Sequence, residues 1–186
     1  MSVWIVVEGE ADLAVVKALL PNEIRTVSEL IPVGGRSNIS SVARTLLVKH
    51  KEPVAIVRDS DSLDPSIIWE KYSTTEQLMR AVSGGTPFKV ILCIPNLEAI
   101  FFEAPDVLQR IFPKVDLAPY VMLYKTQPKE TLTLFFAQGG GPATLTHLLD
   151  ALTKEEVERL RATVPIRELI TFIRGVSGPV RKRSAI

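Results

Sequence analysis

A chain of 186 residues, 46% apolar and 23% charged, has material for one folded domain with a proper core and room for a small appendage. A formal net charge of +1 gives no global signal for a nucleic-acid or membrane partner, although a local acidic site can still bind phosphate through metal ions. No charged, apolar leader opens the chain and no run approaches the ~20 apolar residues of a membrane span, so a cytoplasmic protein without a membrane contact is expected.

The first stretch, Val3 to Leu20, sets the pattern. Val3, Trp4, Ile5, Val6 and Val7 read as a buried strand, because β-branched and aromatic residues without polar alternation suit a strand covered on both faces. Glu8-Gly9 turns the chain, and Ala11, Ala14, Val15, Ala18 and Leu19 follow at helical spacing. Pro21-Asn22 stops that helix, and Val27 to Val33 predicts a second strand. Gly34-Gly35 suits a tight turn or a close backbone approach to a ligand, and Ser37 or Asn38 can cap a helix carrying Ile39, Val42, Ala43, Leu46 and Leu47 on one face.

Pro53 opens a third strand, Val54 to Val57, which ends in Arg58-Asp59-Ser60-Asp61. Asp64-Pro65 marks a helix start, and Ser73-Thr74-Thr75 suggests the cap of a further helix through Val82. After a Gly84-Gly85-Thr86-Pro87 turn, a fourth strand spans Phe88 to Ile94 and buries Cys93, a structural thiol of a reducing compartment. Pro95 ends it, and Asn96 is placed to cap a short helix with Glu98, Ile100, Phe101 and Phe102. The alternation predicts an α/β fold: about four mainly parallel strands with helices on both faces and right-handed crossovers. Beyond Pro105 the pattern weakens into helices, with Val121 to Tyr124 as a short strand and Gln138 to Pro142 as a break. Residues 1–112 are read as the core and 113–186 as a mainly helical elaboration packed on it.

Three hydrophobic strands are each followed by carboxylates: Glu8, then Asp59 and Asp61, then Glu98. Singly, each is an ordinary loop or cap residue. In a parallel sheet the carboxyl ends share one edge, where open α/β sheets place their sites. Acids crowded there repel and raise one another's pKa values unless cations neutralise them. Oxygen ligands without histidine or cysteine suit magnesium or manganese rather than zinc. His50 and His147 lack ligand spacing, Phe101-Phe102 suits a core better than a base-stacking platform, and Arg181-Lys182-Arg183 reads as a solvated ending.

These segments resemble the Toprim domain: VVEGEAD (Val6–Asp12), the intervening IPVGGRSN (Ile31–Asn38) and IVRDSDS (Ile56–Ser62), with IPNLE similar to the extra acidic position of OLD-like members. The resemblance covers residues 3 to 100. It implies a Toprim-like sheet in which Asp59 and Asp61 hold magnesium, Glu8 binds metal or acts as acid/base, Glu98 is an additional acidic ligand, and Asp12 joins a second metal as in OLD-like members. Asp12 also suits the first turn of a helix as a simple dipole partner. Arg58 departs from relatives that carry an apolar residue there; alternation points it opposite Asp59, toward a phosphate, a helix or solvent.

The implied function is a magnesium- or manganese-dependent nuclease that cleaves phosphodiester bonds, with Glu8, Asp59 and Asp61 as catalytic residues. Two metals about 4 Å apart can activate water, stabilise the phosphate and assist the leaving oxygen. Lys125 and Lys129 are the basic candidates by position, against a solvated role. The expected partners are DNA or RNA and, by analogy with OLD-like systems of defence or repair, a separate ATPase; a homo-oligomer is compatible with the sequence. The alternatives are a non-catalytic nucleic-acid-binding scaffold and a phosphatase or phosphotransfer enzyme.

Overall fold

The structure, a computed structural model, describes residues 2–34 and 39–178. Gly35, the proposed caps Ser37 and Asn38, and the Arg181-Lys182-Arg183 segment lie outside the described residues.

Four strands form one sheet: β1 (Val3–Val7), β2 (Ser28–Pro32), β3 (Val54–Asp59) and β4 (Phe88–Cys93). Their order is β2-β1-β3-β4 and every pairing is parallel, so the expected doubly covered α/β sheet is present. The register places Val7 beside both Pro32 and Val57, and Asp59 beside Cys93. All strand ends therefore reach the same edge.

Eleven helices surround the sheet among the described residues: α1 (Glu10–Leu19), α2 (Asn22–Arg25), α3 (Ile39–Lys49), α4 (Pro65–Val82), α5 (Ala99–Phe102), α6 (Pro105–Ile111), α7 (Val121–Thr126), α8 (Pro128–Gln138), α9 (Leu145–Asp150), α10 (Lys154–Arg161) and α11 (Val164–Ser177). Alternation along the strands divides the core in two. Val6, Val54, Ile56 and Val90 face α3 and α4, packing with Ile39, Ala43, Leu47 and Met79. Ile5, Val7, Ala55, Val57, Ile91 and Cys93 face the other way, onto Val15, Val16 and Leu19 of α1 and Leu169 and Ile173 of α11. Phe112, Phe135, Leu148 and Leu160 extend this second layer, so the helices after residue 112 share a core with the sheet.

Local chemistry departs from the sequence reading in four places. Val121–Thr126 is helical rather than a strand; a short apolar run does not distinguish the two, and Tyr124 here stacks on Phe102 with ring centroids 4.7 Å apart. Ser73-Thr74-Thr75 does not interrupt α4, because the Ser73 and Thr75 hydroxyls donate to the helix carbonyls of Glu70 and Lys71 instead of capping a new helix. The second strand is shorter than expected, since Asn22–Arg25 forms a turn of helix before it. Glu98, not Asn96, occupies the N-cap position of α5. Asp64 caps α4 as expected, accepting from the Ser66 amide at 2.8 Å, and Gly34 uses the positive φ of 66° that a tight turn requires.

Candidate metal centre

The site is built where the strands end. Beyond β3 the chain stays zipped to the segment after β4: the Ser60 amide donates to the Cys93 carbonyl at 2.8 Å, and the Asp61 amide to the Pro95 carbonyl at 2.8 Å. The Leu97 amide donates to Asp59 Oδ1 at 2.9 Å, which fixes the Asp59 carboxylate beside Glu98. From the other side, Asp12 lies in the first turn of α1 and its Oδ2 accepts the Gly9 amide at 3.0 Å. That contact turns the side chain back over the strand ends.

Asp12, Asp59 and Glu98 converge as a result. One carboxylate oxygen from each lies within 4.8 Å of the others, and the residues are only 8%, 7% and 4% exposed. Among the described residues this is the group whose geometry could hold a cation. The electrostatics show the strain of keeping three carboxylates there. Burial, reinforced by Asp12, Glu98 and Glu8, pushes the Asp59 carboxyl up to about 8. Burial likewise raises Asp12 and Glu98 above the usual carboxylate range, although Lys129 opposes both. Lys129 Nζ, from the start of α8, is 3.8 Å from Glu98 Oε1, while Glu98 Oε2 is buried with no hydrogen-bond partner among the described residues.

Glu8 and Asp61 stand apart from this trio, each against a cation. Glu8 Oε1 is 3.7 Å from Arg58 Nε, and the Arg58 guanidinium also donates to Thr75 Oγ1 on α4 at 3.0 Å. Lys71 Nζ, one helical turn before Thr75, donates to Asp61 Oδ2 at 2.8 Å and to the Ser60 carbonyl at 3.3 Å. Burial raises the Glu8 pKa as well, countered by Lys71 and Arg58. Arg58 thus serves an acid and a helix rather than solvent. Lys71 and Thr75 were not singled out as site residues in the sequence; their i, i+4 spacing on a helix that follows an acidic strand end is the signal that could have found them.

The remaining candidates are structural. Cys93 is buried within the sheet and its thiol is pushed well up, first by burial. The His50 ring lies tilted against Trp4 with centroids 5.5 Å apart, and Phe101 and Phe102 are core.

The donor set fits a hard divalent ion: all oxygen, buried, and with one Glu98 carboxylate oxygen lacking a hydrogen-bond partner among the described residues. No helix among the described residues is long and apolar enough to cross a membrane. No family model and no curated protein matches the sequence. Among solved structures, the chain is similar to the C-terminal region of the Burkholderia pseudomallei OLD protein, at 15% identity over 95% of this chain and 98% of that one, with a TM-score of 0.59. The C-terminal region of the Xanthomonas campestris pv. campestris OLD protein aligns at 17% identity over 93% of this chain and 94% of that one, with a TM-score of 0.49. At such identity the likeness speaks for architecture, and the conclusion is that this chain carries the α/β fold of the C-terminal region of an OLD protein.

Proposed function

We propose that the protein is a magnesium- or manganese-dependent nuclease that hydrolyses phosphodiester bonds of DNA or RNA at the carboxyl edge of its sheet. The observation that carries this reading is the buried Asp12–Asp59–Glu98 cluster. A fold that needed these acids only as caps or loop formers would leave them in solvent, because burying charge without a partner is costly.

Asp12, Asp59 and Glu98 would hold the ion. When bound, a divalent cation supplies positive charge to phosphoryl oxygens and makes water a competent nucleophile near neutral pH. The protein's own groups complete the chemistry. Lys129 places an ammonium beside Glu98, where it can meet a phosphate oxygen and offset charge that develops there. Glu8, held above the usual carboxylate range mainly by burial, is suited to pass a proton. Asp61, anchored by Lys71, fixes the loop that carries Asp59. In this reading residues 1–112 form the catalytic core, and the helical part after 112 contributes Lys129 from outside it. Cleavage in the cytoplasm as the effector of a separate ATPase, in defence or repair, fits the likeness to OLD proteins.

The test is direct. Purified protein is incubated with plasmid, linear DNA and RNA in magnesium or manganese. Cleavage that Asp59→Asn abolishes is the expected result. Binding without cleavage would instead indicate a scaffold, and phosphate release from small esters alone would indicate a phosphatase or phosphotransfer enzyme.

A further inference from the structure

We infer that this centre takes one divalent cation rather than two, because Arg58 and Lys71 are built into the second acidic position as resident counter-charges. The inference rests on the reading of Asp12, Asp59 and Glu98 as metal ligands.

The geometry separates two acidic positions. Oxygens bound to one ion at about 2.1 Å for magnesium, or about 2.4 Å for a calcium-sized ion, lie at most about 4–5 Å apart. The 4.8 Å spread of Asp12, Asp59 and Glu98 is that of a single shared ion, after a small closure for magnesium. Glu8 and Asp61 are the remaining acids from which a second ion would draw its ligands, and each already faces a cation held by its own partners. Arg58 is fixed by Thr75 and lies 3.7 Å from Glu8. Lys71 is fixed by the Ser60 carbonyl and lies 2.8 Å from Asp61. A guanidinium does not give up its proton to make room for a metal, and both side chains are largely buried, 12% and 19% exposed, so neither swings freely into solvent.

The test counts ions and needs no catalysis. Manganese is titrated into the full chain, with free ion read by electron paramagnetic resonance and bound ion by calorimetry. One ion per chain is expected, with an isolated-ion spectrum; Asp59→Asn removes it and Glu8→Gln retains it. Lys71→Ala, checked for folding by circular dichroism, is expected to admit a second, weaker ion. Two ions in the unmodified protein, or a Lys71→Ala variant that still holds one, would overturn the inference while leaving the metal reading intact. No bound ion at all would overturn the metal reading and this inference with it.

Discussion

Two sets of carboxylates sit at the same sheet edge and meet opposite fates. Asp12, Asp59 and Glu98 lie on the α1 side of the sheet and crowd together, with Lys129 as their nearby cation. Glu8 and Asp61 stand against Arg58 and Lys71. For Glu8 and Asp59 the difference comes from the pleat. Val7 and Val57 are register partners facing α1, while Val6 and Ile56 face α3 and α4. One residue further along, strand alternation carries Glu8 and Arg58 to the α3/α4 side, and the next residue, Asp59, to the α1 side. Asp61 lies beyond the end of β3, where its positive φ of 58° breaks the alternation and leaves it against Lys71.

The comparison breaks first, and most severely, at Asp59. Asp59→Asn keeps an acceptor for the Leu97 amide but removes the charge proposed to hold the ion, so the proposed nuclease activity is expected to fall to background. The same variant should be more stable than the parent without metal, by on the order of 2 kcal/mol at pH 8, since a buried carboxylate has gone. Urea unfolding of both proteins measures this.

Glu8→Gln should behave differently. Cleavage is expected to drop by about a hundredfold, the usual cost of losing a positioned acid or base, while manganese affinity stays within a few-fold. A cleavage assay paired with an ion titration separates the two effects.

Protonation offers a gentler probe. Asp59 keeps its proton in the fold to about 8, against an ordinary 3.8. Between those values the folded state binds the extra proton, so the Asp59 contribution to metal-free stability is greatest at the acidic end and falls as pH rises from about 4 to about 8. Ion binding must displace that proton, so manganese affinity should increase by up to about tenfold per pH unit and level off above about 8. Thermal melts across pH, with and without manganese, test both slopes.

The smallest effect is expected at Thr75→Val. It removes the hydroxyl that anchors Arg58 and should cost about 1 kcal/mol in stability, the net worth of a buried hydrogen bond to a charged group after repacking. Activity should change little, because the Asp12–Asp59–Glu98 side is untouched.

Much of this was legible before the structure. Strands covered on both faces are written as unbroken apolar runs, so β1, β3 and β4 and their acidic ends could be placed from the residues alone. Asp12 was ambiguous because a first-turn acid has a local explanation in the helix dipole, and only the fold brings α1 over Asp59. Lys129 was a candidate by position alone, since its approach to Glu98 depends on how α8 packs against α5. The pairing of Glu8 with Arg58 was in principle readable from alternation, which had already set Arg58 opposite Asp59. Helices α7 and α8 were hidden by short, irregular apolar runs whose partners, among them Phe102 and Phe112, lie far away in sequence.

Diffraction from manganese-soaked crystals at the metal's absorption edge bears most directly on the central claim. The account predicts one anomalous peak bounded by Asp12, Asp59 and Glu98. A peak seated on Glu8 and Asp61, or none at saturating manganese, would contradict it.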